Sequence, residues 1–352
     1  MSIELWTLAI VVVTSIVCAL CGSLLLVNRQ SMVSEGLSHA VLPGLVLAFI
    51  VFRDYSSPWL IISAADSGLI MVWLTQWLHQ TGLVDEDAGL GIVFAGMFSV
   101  GILIVSRYLR STHFHEDCII DGNLALAPLN RLKVAGFDLG PKSWIVMLAI
   151  LILIGGFIAL CFKELKLTLF DSSLAERFRL KPVFLQTISL GLISLAAVAA
   201  FNVAGSVLIV ALMIAPPAAA YLLTNRLHQL LFASCIIAVV GAVSGFYLSR
   251  SLDIAPNGPI ASATGAVFLL VLAFAPTRGL IARLIEARQQ RMATLTDLLL
   301  ETIAENEAAV TPHELSVTLA WPEPDVTRLL NRLVAAGSVE STPNGFTKRL
   351  VR

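Results

Sequence analysis

Glu35 and His39 stand four residues apart in SEGLSHAVLPG (34–44), and the run that follows, VLPGLVLAFIVF, is apolar enough to lie in a bilayer. On a helix that spacing puts the carboxylate and the imidazole on one face, where they can meet one divalent cation or each other. A carboxylate with a neutral imidazole suits zinc, manganese or ferrous iron better than an alkali ion. An ionisable group at membrane depth is costly unless it is paired or serves a pathway. The pair is therefore either a functional site or a structural couple near a helix end. Pro43 would break the helix ladder just past His39 and free backbone carbonyls at that depth, or only kink the span.

Other residues carry weaker chemistry. Asp66, in SAADSGLIMVW, is a lone carboxylate in an apolar run, either a secondary ion contact or a hydrogen-bonded packing defect. His113, His115, Glu116, Asp117 and Cys118 gather metal-ligand types in one loop, but alternate spacing on an irregular segment does not build a closed site. Cys18 and Cys21 match the C-x-x-C spacing, yet inside an apolar run they read as small packing residues. GFDLGPKS (136–143) has the look of a phosphate loop, but Pro141 spoils its spacing, so no nucleotide hydrolysis is expected of this chain. Gly241 and Gly245 permit close helix packing, and His79, His228 and His313 fit interfaces or surfaces.

Such a pair must be positioned by membrane-spanning elements. Hydrophobic residues make up 57% of the chain and charged ones 13%, with a mean hydropathy of +0.86, well outside the range of a soluble domain. Runs long enough to cross the hydrocarbon layer lie near 5–27, 37–53, 58–78, 88–107, 143–162, 183–201, 203–223, 229–249 and 259–276. The second is short and interrupted by Pro43, so the expectation is an all-α polytopic protein of 8–9 spans. The first run lacks a basic leader and a cleavage site and reads as a span. Lysines and arginines in 163–181 and after Pro276 make both cytoplasmic, which places the N-terminus outside; Arg107, Arg110, Arg131, Lys133 and Lys142 in the 107–142 loop disagree with that count.

Composition changes near 276–294, and the expected organisation is a transmembrane domain over 1–285, a basic linker helix over 286–295 and a small cytoplasmic winged-helix domain over 296–352. Leu295, Leu298, Leu299 and Ile303 make one helical face, and Thr311-Pro-His-Glu314 reads as a capping box. Val326, Leu329, Leu330 and Leu333 face inward up to Gly337, and Asn344-Gly345 reads as a two-residue hairpin turn. Three helices and a hairpin is the winged-helix order.

The segment SEGLSHAVLPG resembles the G-D-A-L-S-H-A-V-L-P-G signature of the membrane permeases of bacterial zinc/manganese/iron ABC importers. LTLFDSSLAERFRL (167–180), AGSVLIVALMIAPPAAAYLL (204–223) and GFYLSRSLDIAPNGPIASATGAVF (245–268) are similar to further family segments in the same order. The resemblance implies a permease subunit carrying manganese, zinc or iron(II) into the cytoplasm across a bacterial inner membrane. It would hold no permanent cofactor. Its partners would be an ABC ATPase on a separate chain, an extracytoplasmic metal-binding protein and a second permease subunit, as a homodimer. The motif's aspartate maps to Glu35, one methylene longer, its histidine to His39, and its glycine is replaced by Ser34. The family's coupling helix, seated in the ATPase, maps to Asp171, Ser173, Ala175, Glu176 and Arg177.

Residues 296–352 resemble the winged-helix part of iron- and manganese-dependent repressors, which would give Arg328, Asn331, Arg332, Lys348, Arg349 and Arg352 to DNA. Charge opposes this. From Arg291 onward the acidic residues Asp297, Glu301, Glu305, Glu307, Glu314, Glu323, Asp325 and Glu340 outnumber the basic ones, whereas phosphate neutralisation supplies most nonspecific affinity. An accessory contact with the ATPase or a twin domain is favoured over DNA. A membrane-anchored transcription regulator and an ion-coupled secondary transporter remain rival readings; the latter would need interrupted helices in both halves, and only one such constellation is evident.

Overall fold

The computed structural model describes residues 3–28, 30–53, 58–108, 124, 126–134, 137–170, 182–276, 278–305, 310–319, 321–335, 339–342 and 345–348. Two compact units divide the chain, 1–273 and 274–352. Among the described residues, nine helical stretches are long and apolar enough to cross a membrane.

The first unit runs α1 (Ile3–Val27), α2 (Val33–Ala40), α3 (Leu42–Phe52), α4 (Pro58–Gln80) and α5 (Glu86–Tyr108). A short hairpin of β1 (Arg131–Val134) and β2 (Phe137–Pro141) precedes α6 (Lys142–Leu160), α7 (Phe162–Phe170), α8 (Pro182–Ala204), α9 (Ser206–Leu223), α10 (Leu227–Leu252) and α11 (Asn257–Phe274). The 107–142 stretch, a loop by sequence, carries this hairpin at 131–141. Its strands are too short and too lightly patterned to announce themselves, and Gly140 at the end of the hairpin takes φ +98°, with the Trp6 ring over it.

Small residues set the packing. At Gly22 an added Cβ would fall on the backbone of Met213, so α1 and α9 touch main chain to main chain. The hydroxyls of Ser23 and Ser234 lie 3.0 Å apart, and both reach the carbonyl of Ala19, at 2.7 and 3.1 Å, tying α1 to α10. Gly241 and Gly245 seat α10 against α11 as their spacing predicts: a Cβ at 245 would sit 2.3 Å from the Cα of Ile260. Cys18 and Cys21 are buried, unbridged, in the apolar core.

The second unit contains α12 (Leu280–Glu305), α13 (Pro312–Thr318), α14 (Glu323–Ala335) and the antiparallel pair β3 (Val339–Thr342) and β4 (Gly345–Lys348). Leu299, Ile303, Leu315, Val326, Leu330 and Val339 close its core. Thr311 and Glu314 form both halves of the capping box. Three details differ from the sequence reading. Segment 286–295 and the helix after it are one helix, since no Gly or Pro interrupts 280–305. Leu298 is 40% exposed, off the buried line of Leu299 and Ile303. Thr342 pairs with Gly345, so the two-residue connection is 343–344 and Gly345 already belongs to β4.

Candidate functional site

The second span is two helices, α2 and α3, joined at Val41. The cause is local. Pro43 has no N–H to give to the carbonyl of His39, so the ladder weakens where the sequence left a break or a kink open. Two hydroxyls of a neighbouring helix bond to carbonyls on either side of the break. Ser67 Oγ donates to the carbonyl of Ala40 at 2.5 Å and Ser63 Oγ to that of Gly44 at 2.6 Å, both from α4. Gly44 allows this approach: a Cβ there would lie 2.3 Å from the carbonyl oxygen of Ser63. The carbonyl that Pro43 leaves without its usual partner is that of His39, which accepts from the N–H of Val41, while the two serines hold α4 against the break.

One turn before the break, His39 is half-buried between two rings of α5. Its imidazole stacks on Phe94 at 5.7 Å and 24°, and meets Phe98 edge-on at 5.5 Å and 73°. Glu35, one turn earlier on α2, is exposed, while Ser38 Oγ caps its carbonyl oxygen at 2.6 Å. The helix thus holds the imidazole in a fixed aromatic slot and leaves the carboxylate open. Asp66 is exposed on α4, in the middle of a stripe of Trp59, Ile62, Ile70, Trp73 and Trp77, each at least 46% exposed. Among the described residues no three His, Cys, Asp or Glu side chains converge to hold a metal ion. Glu35, His39 and Asp66 therefore do not form a closed site within one chain.

Ser63, Ser67, Phe94 and Phe98 went unnoticed in the sequence. Each pair is spaced by four in an apolar run, which is a faint signal; only the packing shows their target. The coupling residues Asp171, Ser173, Ala175, Glu176 and Arg177 lie outside the described residues, between the ends of α7 and α8, as do His113, His115, Glu116, Asp117 and Cys118. In the second unit Arg328, Asn331 and Arg332 are exposed on α14, with Arg328 3.5 Å from Asp325 and His313 3.5 Å from Glu323. Lys348 closes β4, and Arg349 and Arg352 lie outside the described residues.

The sequence profile of the ABC 3 transport family matches residues 2–275, nearly the whole first unit. This chain belongs to that family. Its similarity extends to the manganese transport system membrane protein MntD of Bacillus subtilis, 35% identical over 80% of this chain and 96% of that protein. It also resembles the zinc transport system membrane protein TroD of Treponema pallidum, 33% identical over 94% of this chain and 92% of that one. A match of that extent must run into 274–352. Among solved structures, a chain of PsaBC from Streptococcus pneumoniae in complex with Fab superposes with a TM-score of 0.66 at 24% identity, covering 82% of this chain and 96% of that one. The ABC 3 fold, a multi-pass helical membrane protein, is thereby established for the first unit.

Proposed function

We propose that this chain is the permease subunit of an ATP-driven importer for manganese, zinc or iron(II), with the Glu35 and His39 face of α2 on the translocation path. The observation that carries the proposal is the pairing of a clamped imidazole with an open carboxylate at a break in a span, in a chain similar to proteins named for manganese and zinc transport. One chain offers two first-row metal ligands there. A second permease subunit across a shared path, as in a homodimer, would supply the rest. Asp66 supports such an assembly, because a carboxylate on a lipid-facing stripe is costly, and a neighbouring subunit or a water-filled path removes that cost.

In this reading the 170–181 segment meets a separate ATPase chain, and an extracytoplasmic protein delivers the metal. The 296–352 region is a cytoplasmic winged-helix-like domain. Its acid-paired Arg328 favours an accessory contact over duplex DNA.

The test is uptake of manganese, zinc and iron(II) by the reconstituted complex. Glu35→Ala and His39→Ala should each nearly abolish uptake while insertion and assembly persist, and Glu35→Asp should be milder. Wild-type uptake in both alanine variants would remove this site. A crosslinker placed at Ser173 or Glu176 should capture the ATPase chain, and failure to do so would remove the coupling assignment.

A further inference from the structure

Helix α12 carries one apolar stripe from end to end, but only half of it is covered. Toward its C-terminus, Leu295, Leu299 and Ile303 pack into the core of the second unit. Toward its N-terminus, Leu280, Ile281, Leu284 and Ile285 continue the same face and are 52%, 44%, 68% and 52% exposed. The spacing of these four is helical, so they form a continuous uncovered strip of large side chains.

Charge says what covers it. Over 278–291 the sequence has Arg278, Arg283, Arg288 and Arg291 against Glu286 alone. From 292 onward the sign reverses, with Asp297, Glu301, Glu305, Glu307, Glu314, Glu323, Asp325 and Glu340 outnumbering Arg328, Arg332, Lys348, Arg349 and Arg352. The helix also starts six residues after the last candidate span ends at Phe274, within reach of a bilayer surface by chain length alone. A basic helix with an uncovered apolar strip beside a span fits the interface of an anionic membrane, where strip and arginines engage together. A second copy of α12 fits less well, since position 288, an arginine, falls on the stripe between Ile281 and Met292 and would have to be buried in a helix pair.

We infer that the N-terminal half of α12, 280–291, is an interfacial helix that docks on anionic lipid, independently of the transport reading. Each arginine near such a surface favours docking by about fivefold. The test uses the full chain in nanodiscs of phosphatidylcholine alone or with a third of phosphatidylglycerol, and follows amide hydrogen exchange. Exchange over 280–291 should be slower in the anionic discs. The difference should vanish at high salt and in Arg283→Gln/Arg288→Gln/Arg291→Gln, while protection over 295–303 stays constant. Exchange over 280–291 that is the same in both discs would overturn the inference. Slowing that appears only when the ATPase chain is added, or equally in detergent as the protein self-associates, would also overturn it and assign the strip to a protein partner. Should the triple variant misfold, the two lipid compositions on the unaltered chain still decide.

Discussion

The hydroxyl of Ser67 donates to the carbonyl of Ala40, the last residue of α2, across 27 residues of chain. With Ser63, which donates to the carbonyl of Gly44, it ties α4 to both sides of the break at Val41. Ser67→Ala should lower stability by about 0.5–1.5 kcal/mol, the range for hydrogen bonds between membrane helices. Gly44→Ala should cost more than Ser67→Ala, because the new methyl would strike the backbone of α4 at Ser63. Unfolding in mixed detergent and SDS measures both, and the reverse order would mean that the contact between α3 and α4 is loose.

The aromatic slot around His39 gives a second expectation. Phe94→Leu and Phe98→Leu keep the site apolar but remove the ring contacts, which contribute about 0.5–1.5 kcal/mol beyond burial. Metal uptake should fall severalfold with the amount of assembled protein unchanged, and Phe94→Tyr should retain most of it. If uptake follows protein amount alone, the rings serve packing and do not orient the imidazole.

Glycines on α10 and α11 divide by what stands opposite them. A Cβ at Gly245 would meet the backbone of Ile260 at 2.3 Å, one at Gly241 would meet Thr264 Oγ1 at 2.7 Å, and one at Gly265 meets nothing within 4 Å. Gly245→Ala should therefore be the most damaging, Gly241→Ala intermediate, and Gly265→Ala neutral or stabilising, since alanine favours a helix over glycine by about 1 kcal/mol. Thermal unfolding of the three variants in detergent gives the ranking directly.

Much of this was legible beforehand where the physics is local. Composition and run length, which left eight or nine spans open, located the nine candidate spans among the described residues to within a few residues, because hydrocarbon thickness fixes helix length. Thr311 and Glu314 were readable as a cap since both halves of the box lie within one turn. The hydroxyl supports at Ser63 and Ser67 were not, because their partners lie on another helix. The continuity of α12 was missed for another reason: the change in composition over 276–294 looked like the end of a linker, but no residue after it breaks the helix.

The capping box also predicts a pH response. Glu314 accepts from the backbone N–H of Thr311, and secondarily from its hydroxyl, which holds the carboxyl below its ordinary value of 4.5. A depressed folded-state value means that the cap stabilises above the unfolded value and loses that contribution as pH falls through the folded one. Amide protection over 312–318 should therefore be constant near neutrality and decline only below pH 4.5. Glu314→Gln should flatten that decline.

An unbroken α12 has a mechanical consequence. Twenty-six helical residues make a rod about 39 Å long, so a 10° tilt at one end displaces the other by about 7 Å. With its far half fixed in a folded core and no glycine or proline to bend at, the rod cannot absorb that motion. A 10° change in the angle of its basic end therefore moves the core packed on its far end by about 7 Å.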